Sequence, residues 1–327
     1  MQPNETTPAS APLSSHQPIR ERVGLVVAGP DAAATVAAIV AAEAAGVRQV
    51  WMTQITSADT LTLYAAAAVQ TKSIRLGTAI VPTYPRHPLA LALQALTLGN
   101  LAPGRLRLGI GPSHRPTIEG MYGLTMTAPL EHLREYVSVL RAALWEGKVD
   151  HQGRFYTVKG GLPRTARTPI LISALRQGAF RLAGEISDGA ISWMCPVPYL
   201  LKSALPALRA GAEQSGRPAP PVVAHVPVAL AEDREAVLAA ARRRVSVYGR
   251  LPFYAHMFAD AGFPVAPDGT MSDALLDTLV VFGDEATVAA RLKELLAEGL
   301  DELLLMPVVV TDADSEQARL AKLIGQL

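Results

Sequence analysis

The sequence predicts an α/β fold, a closed (β/α)8 TIM barrel with insertions after strands four and seven. Three observations carry that expectation. From residue 23 onward, short β-branched runs alternate with longer helical runs in eight cycles, the pattern of repeated parallel βαβ units. Residues 75–114, RLGTAIVPTYPRHPLALALQALTLGNLAPGRLRLGIGPSH, show one unit in compact form. Pro88 suits the first turn of its helix and Gly104 follows the helix end, giving the crossover that parallel strands require. Eight strands and eight helices in about 300 ordered residues suit a closed barrel, since an open sheet would have shorter and more polar edge strands.

Taken in order, VGLVVAG (23–29) is the first strand, and Asp31 caps an alanine-rich helix that ends before Gly46. VRQVWMTQ is the second strand, with a helix around TLTLYAAAAVQ. The third runs from Ile74 to Ile80 and gives way to Val81, Pro82 and a basic, aromatic loop. The fourth, RLRLGIG, ends in Gly109 and Gly111 and runs into Pro112, Ser113 and His114; glycine-rich ends of this kind let a ligand approach the main chain. Thr127 is the expected cap of the next helix, in which Leu130, Leu133, Val137, Leu140 and Leu144 form one apolar stripe before Gly147. The stripe should pack on the barrel exterior, with His132 and Glu135 solvated on the opposite face. Residues 149–161 read as a hairpin outside the cycle. The fifth strand (169–174) precedes a helix over GAFRLAGEIS, and Asp188 and Gly189 turn into the sixth, GAISWM. VVAHVPVAL is the seventh. About seventy residues separate it from the eighth, DELLLMPVV, more than one crossover needs. Extra helices are expected there, including a candidate lid, ARRRVSVYGRLPFYAHMFADAG, and an amphipathic helix capped by Asp284.

Lys plus Arg number 30 against 29 for Asp plus Glu, so no global field favours nucleic acid or an anionic membrane, while a small anionic ligand stays open. The lone Cys195 excludes an intramolecular disulfide and a cysteine-rich metal cage, and it fits a reducing, cytoplasmic setting. Residues 1–20 lack the apolar core of a signal peptide and read as a disordered leader, with 21–327 as a single barrel domain. No run reaches the roughly 18 strongly apolar residues of a membrane span.

LGIGPSHR has His114 where a dinucleotide fingerprint needs its third glycine, and GxxxxGK[ST], GxSxG and HExxH are absent. The histidines do not cluster, and no metal is expected. His114 follows a barrel strand, so it either points into the mouth where barrel enzymes place their chemistry or is a loop histidine bonded to a carbonyl. Gln54 and Trp51, near the end of the second strand, are open in the same way, and Trp193 is either a site residue or ordinary core packing. Ser173, Ala174, Leu175, Arg176, Gln177, Gly178 and Ala179 combine small residues, an arginine and a helix N-terminus, the parts that hold a phosphate; the alternative is a plain βα loop.

In the order and spacing of IRLGTAIVPTYPRHPLALALQALTL, GRLRLGIGPSH, EHLREYVSVLRAALWEG, TPILISALRQGAFRLAGEISDGAIS and VFGDEATVAARLKELLAEGLDELLLMPV, the chain resembles the luciferase-like monooxygenase superfamily, specifically its bacterial coenzyme F420-dependent oxidoreductases, over nearly all of 22–312. The resemblance implies a deazaflavin lying across the C-terminal strand ends, with its phosphate held by the loops after strands five and six. It implies a cis peptide at Ala79-Ile80 behind the ring, with Gly109, Gly111, Pro112, Ser113 and His114 along one side. Ser173, Ala174, Leu175, Arg176, Gly178 and Ala179 would surround the phosphate, and Trp193 would flank the phosphate or tail. Arg86, Arg115, Arg164 and Arg176 are candidates to attract an anionic polyglutamate tail.

Sugar-phosphate dehydrogenases of this superfamily carry a histidine after strand two and a glutamate after strand four, where this chain has Gln54 and His114. Neutral Gln54 is no general base, whereas His114, with a reference pKa of about 6.5, exchanges a proton near neutrality. The resemblance thus implies hydride transfer between F420 and an organic substrate other than a sugar phosphate. His114 and Gln54 would be the catalytic residues, in a homodimer formed by helices beside strands two and three. A flavin or F420 reductase would be the redox partner, and the rivals are an FMN-dependent monooxygenase on the same fold that receives reduced flavin from a partner reductase, a non-catalytic flavin-binding barrel, and an unrelated phosphate-binding barrel enzyme.

Overall fold

The computed structural model describes residues 17–54 and 58–327. Among them, eight parallel strands close on themselves: β1 (Val23–Val26), β2 (Gln49–Met52), β3 (Arg75–Thr78), β4 (Leu106–Gly111), β5 (Ile170–Ser173), β6 (Gly189–Ser192), β7 (Val222–Ala229) and β8 (Glu302–Pro307). Closure comes from β8, which pairs with β7 on one side and with β1 on the other, Val23 lying opposite Leu303. Of the expected leader, residues 1–16 lie outside the described residues. Its inner boundary moves: Ile19–Arg22 forms a helical turn, because the Arg22 guanidinium donates to the carbonyls of Leu300 and Asp301 and ties the turn to the entry of β8.

The helices surround this barrel, and the starts at Asp31 and Pro88 are those the sequence predicts. Asp31 accepts from the Ala34 amide at the start of α1 (Ala32–Ala44), Asp59 from Thr62 at α2 (Thr60–Ala68), and Pro88 opens α3 (Pro88–Leu101), each satisfying or avoiding an orphan helix N–H. In the insertion after β4, α4 (Pro129–Arg141) is capped by Ala128 in a left-handed conformation rather than by Thr127. Pro129 fixes the first helical position, so the cap falls one residue later, and the Thr127 carbonyl instead accepts from the Tyr84 hydroxyl at 2.6 Å.

The hairpin of Lys148–Gln152 and Thr157–Gly161 overturns a second expectation. With its connecting loop it folds back over α4 and buries His132, which stacks on Tyr84 at 3.9 Å and meets the Tyr156 hydroxyl at 2.8 Å. Burial pushes its imidazole down to about 4. Glu135 accepts the amides of Arg154, Phe155 and Tyr156. Helical periodicity marks this face as polar but says nothing of a later segment that covers it.

Around the rest of the barrel run α5 (Gln177–Ile186), α6 (Leu205–Gln214), α10 (Glu285–Ala297) and α11 (Ala313–Gly325), while the insertion after β7 holds α7 (Arg234–Gly249), α8 (Pro252–Asp260) and α9 (Asp273–Leu279). The barrel interior contains more than aliphatic layers. Arg107 of β4 makes a two-pronged ion pair with Glu302 of β8 at 2.6 and 2.8 Å, and Gln49 of β2 bonds both partners. Trp51 lies against this group, its indole donating to Gln49 and its ring 5.0 Å from the Arg107 guanidinium. Gly24 and Gly77 leave the room its ring occupies. Trp51 is therefore barrel core, fully buried.

Gly109 is a second place where only hydrogen fits, since a methyl group there would overlap the Thr78 carbonyl oxygen and press on Ile191. Neither the strand backbone nor the aliphatic side chain can move far in a closed barrel. Gly109→Ala should cost about 3 kcal/mol, the upper end of overpacking penalties. Urea midpoints measure it, and a variant as stable as the parent would show that the strands relax.

Candidate functional site

The C-terminal strand ends surround a cavity of about 980 Å³ roofed by the two insertions, at the face where barrel enzymes carry their chemistry. Its floor begins where β3 stops at Thr78. The Ala79-Ile80 peptide is cis, and the short strand Val81–Pro82 then resumes pairing with β4 at Ile110 and Gly111. The Ala79 amide donates to Met52 and the Ile80 carbonyl accepts from Gln54, so the ends of β2, β3 and β4 are tied into one surface. Gln54, Ala79 and Ile80 line the cavity there.

Beyond β4, Pro112, Ser113 and His114 form the next part of the wall. Ser113 takes a positive φ of 61°. His114 is half-buried, 5.6 Å from the Tyr254 ring. Among the described residues, its ring nitrogens have no carbonyl partner, so the loop-histidine alternative finds no support. Burial lowers its pKa below the ordinary 6.5 and keeps the imidazole neutral at pH 7. Gly109 and Gly111 stand behind the wall: Gly111 packs on Ser173 Oγ and Ile80, and a side chain at either glycine would meet protein rather than the cavity.

Gln54 is oriented from outside the cavity. Its amide nitrogen donates to Asp59 Oδ2 at 3.3 Å, and the same oxygen accepts from Arg86 at 2.6 Å. Hydrogen bonds from Thr62 and the Arg86 charge hold the Asp59 pKa below its usual value despite its burial, so Asp59 is an acceptor and the Gln54 carbonyl must turn away from it. Among the described residues, that carbonyl oxygen is buried without a partner.

The opposite wall comes from the loop after β5. Ser173, Ala174, Leu175, Arg176, Gly178 and Ala179 all line the cavity, with Arg176 at the N-cap of α5. The leading amides of a helix lack intrahelical partners, and a Cβ on Gly178 would touch only Leu130, so this corner has both donors and space for an anion. Arg176 Nε pairs here with Asp260 of α8 at 2.8 Å. Arg86 is engaged by Asp59, and Arg115 pairs with Glu119 on the surface. Arg164 precedes β5 at the N-terminal end of the barrel and does not line the cavity. Trp193, after β6, lines the cavity while stacking on buried His225 at 3.6 Å and donating to the Tyr248 hydroxyl at 2.8 Å.

The cavity also has walls that the motifs did not reveal. Met126, Pro129, Leu130 and Leu133 come from the first insertion, and Val247, Tyr248, Leu251, Phe253, Tyr254 and Asp260 from the second. The lid segment was recognisable, but an apolar stripe such as Leu130 to Leu144 looks the same whether its first leucine faces a helix or a cavity. Among the described residues, no His, Cys, Asp and Glu group of metal-binding size occurs, and no helix is long and apolar enough to cross a membrane.

The luciferase-like monooxygenase family model matches residues 13–302. A putative coenzyme F420-dependent oxidoreductase of Mycobacterium tuberculosis is 29% identical, covering 86% of this chain and 91% of the relative. Among solved structures, an F420-dependent secondary alcohol dehydrogenase in complex with an F420–acetone adduct superposes with a TM-score of 0.78 at 18% identity, covering 92% of this chain and 97% of that one. The FMN-bound oxygenating constituent of 3,6-diketocamphane monooxygenase from Pseudomonas putida superposes at 0.67 and 18% identity, covering 89% and 91%.

Proposed function

The chain belongs to the luciferase-like monooxygenase family of oxidoreductases, and we propose that it transfers hydride between coenzyme F420 and a small organic substrate. The observation that carries this proposal is the set of groups sharing one cavity: the small and aliphatic floor of Ala79 and Ile80, the arginine-bearing N-terminus of α5, and neutral His114. A planar ring fits the floor and a phosphate fits the Arg176 corner. When bound, the deazaflavin supplies the carbon that gives or takes the hydride. The protein does the rest. His114 holds or accepts, at a ring nitrogen, the proton that accompanies the hydride, Gln54 offers its carbonyl oxygen to a donor on the ring edge or substrate, and the lid residues exclude water.

Hydrogen-bond donors at the phosphate corner serve F420 and FMN alike, and the FMN-bound relative in fold keeps a flavin monooxygenase as the second candidate. Fluorescence titration separates them: tight binding of F420 alone supports the proposal, and tight binding of FMN alone replaces it. Arg176→Ala should weaken the preferred cofactor about tenfold, the loss of one charge-assisted hydrogen bond. Riboflavin, which lacks the phosphate, should bind the variant and parent equally, and an equal loss for riboflavin would remove Arg176 from the phosphate corner. The same proposal includes a cytoplasmic homodimer built on α2 and α3, where Val69, Leu93 and Leu101 are exposed, and a reductase as redox partner.

A further inference from the structure

The cavity divides its chemistry unevenly. Its polar side chains lie mostly at the strand ends and the Arg176 corner, whereas the roof contributed by the insertions is largely aliphatic and aromatic. Among the described residues, Arg176 and Asp260 are the only Asp, Glu, Lys or Arg residues in its lining, and they pair with each other. With His114 neutral, a charged substrate would enter without a counter-charge, and an unpaired charge taken out of water is heavily penalised.

The apolar surface also continues outward. Met121, Tyr122 and Leu124 are exposed on the segment between cavity residues Thr117 and Met126, and Leu130 of the roof is itself 40% exposed. Across the mouth, Val247 of α7 is 56% exposed and Phe253 of α8 41%, and both also line the cavity. The two insertions thus form apolar lips continuous with an apolar roof. Exposed apolar patches mark interaction sites, ligand-binding grooves among them, and the continuity of these lips with the cavity roof points to the groove.

We propose that the substrate is an uncharged, predominantly apolar molecule that enters between these lips and lies against Met126, Leu130, Leu133, Leu251 and Tyr254, presenting one oxygen function to the floor. This rests on the floor and the Arg176 corner being the cofactor's place. A cavity near the upper end of the roughly 300–1,000 Å³ range for small-molecule sites leaves room for a second ligand. A sugar phosphate fits poorly, because among the described residues Arg176 is the only Lys or Arg in the lining, and the cofactor's own phosphate would engage it.

The test is calorimetric titration of the full chain, with and without saturating F420 or FMN, using 2-hexanol, 2-octanol and 2-decanol, with glucose 6-phosphate for comparison. Affinity should rise about fourfold per added methylene, equivalent to about 0.8 kcal/mol, and glucose 6-phosphate should not bind. Phe253→Ser and Val247→Ser, both at exposed positions, should each weaken 2-decanol several-fold and leave cofactor affinity unchanged. Affinity independent of chain length, or glucose 6-phosphate binding as tightly as 2-decanol, would overturn the proposal. If the alcohols show the chain-length dependence but neither F420 nor FMN binds, the assignment of an apolar substrate stands and the cofactor assignment falls. If a cofactor binds and the dependence is absent, only the substrate class fails.

Discussion

Replacing His114 by alanine should lower turnover by about 10²–10³-fold, within the range for loss of a positioned general acid or base, while cofactor affinity stays within about twofold. His114 lines the cavity with no hydrogen-bond partner for its ring among the described residues, so its removal breaks no structural bond. The pH dependence has a definite sign. Burial lowers the pKa of His114 below 6.5, so the neutral, proton-accepting form prevails at pH 7. Oxidation of a substrate hydroxyl should therefore hold its rate as pH falls past 6.5 and decline only through the lower, shifted pKa. In the reverse direction the protonated form is needed, and the rate should increase as pH falls through that range. In His114→Ala the corresponding limb should vanish. Turnover equal to the parent, or an unchanged acid limb, would take the proton-transfer role away from His114.

Glu302→Gln should destabilise the fold by about 3–5 kcal/mol, the usual cost of removing one partner from a buried ion pair. The Glu302 side chain is fully buried and Arg107 nearly so, and the remaining guanidinium would keep only the Gln49 side-chain oxygen and the replacement amide. With Arg107 almost entirely buried, little water can solvate that charge. The cost lies in the orphaned charge rather than in the pair itself, so Arg107→Met with Glu302→Leu should recover most of the loss. Urea unfolding of both variants provides the measurement. A single variant within about 1 kcal/mol of the parent would mean that the barrel interior admits water or counter-charge.

Much of the architecture was legible because its signals are local. β-branched runs, Asp31 and Asp284 as caps, Pro88 at a first turn and Gly147 at a helix end each act within a few residues. The loop 173–179 and the stretch from Ala79 to His114 were found the same way, since a strand followed by small residues or glycine marks a barrel mouth. Gly109 and Gly111 show the limit. Glycine at a strand end reports that something comes close, and here that neighbour is protein, Thr78 and Ser173. Thr127 and His132 mislead for a related reason: a cap shifts by one residue when proline follows, and a polar helical face becomes interior when a hairpin folds across it.

Order along the chain was enough to establish an eight-fold alternation, its closure into a barrel, the family resemblance and the loops at the barrel mouth. Which side chains meet across that barrel came only from folding. Arg107 and Glu302 stand 195 positions apart, Trp51 fills space opened by Gly24 and Gly77, and Arg176 meets Asp260 from an insertion 84 positions away. Periodicity records which face of an element is apolar, a property of neighbours three or four residues apart. Contacts between insertions and strand ends depend on how the chain is brought together in space, and no local pattern encodes them. The neutral state of His114 and the apolar roof above it depend on the same long-range packing, so the chemistry of the site was resolved only in three dimensions.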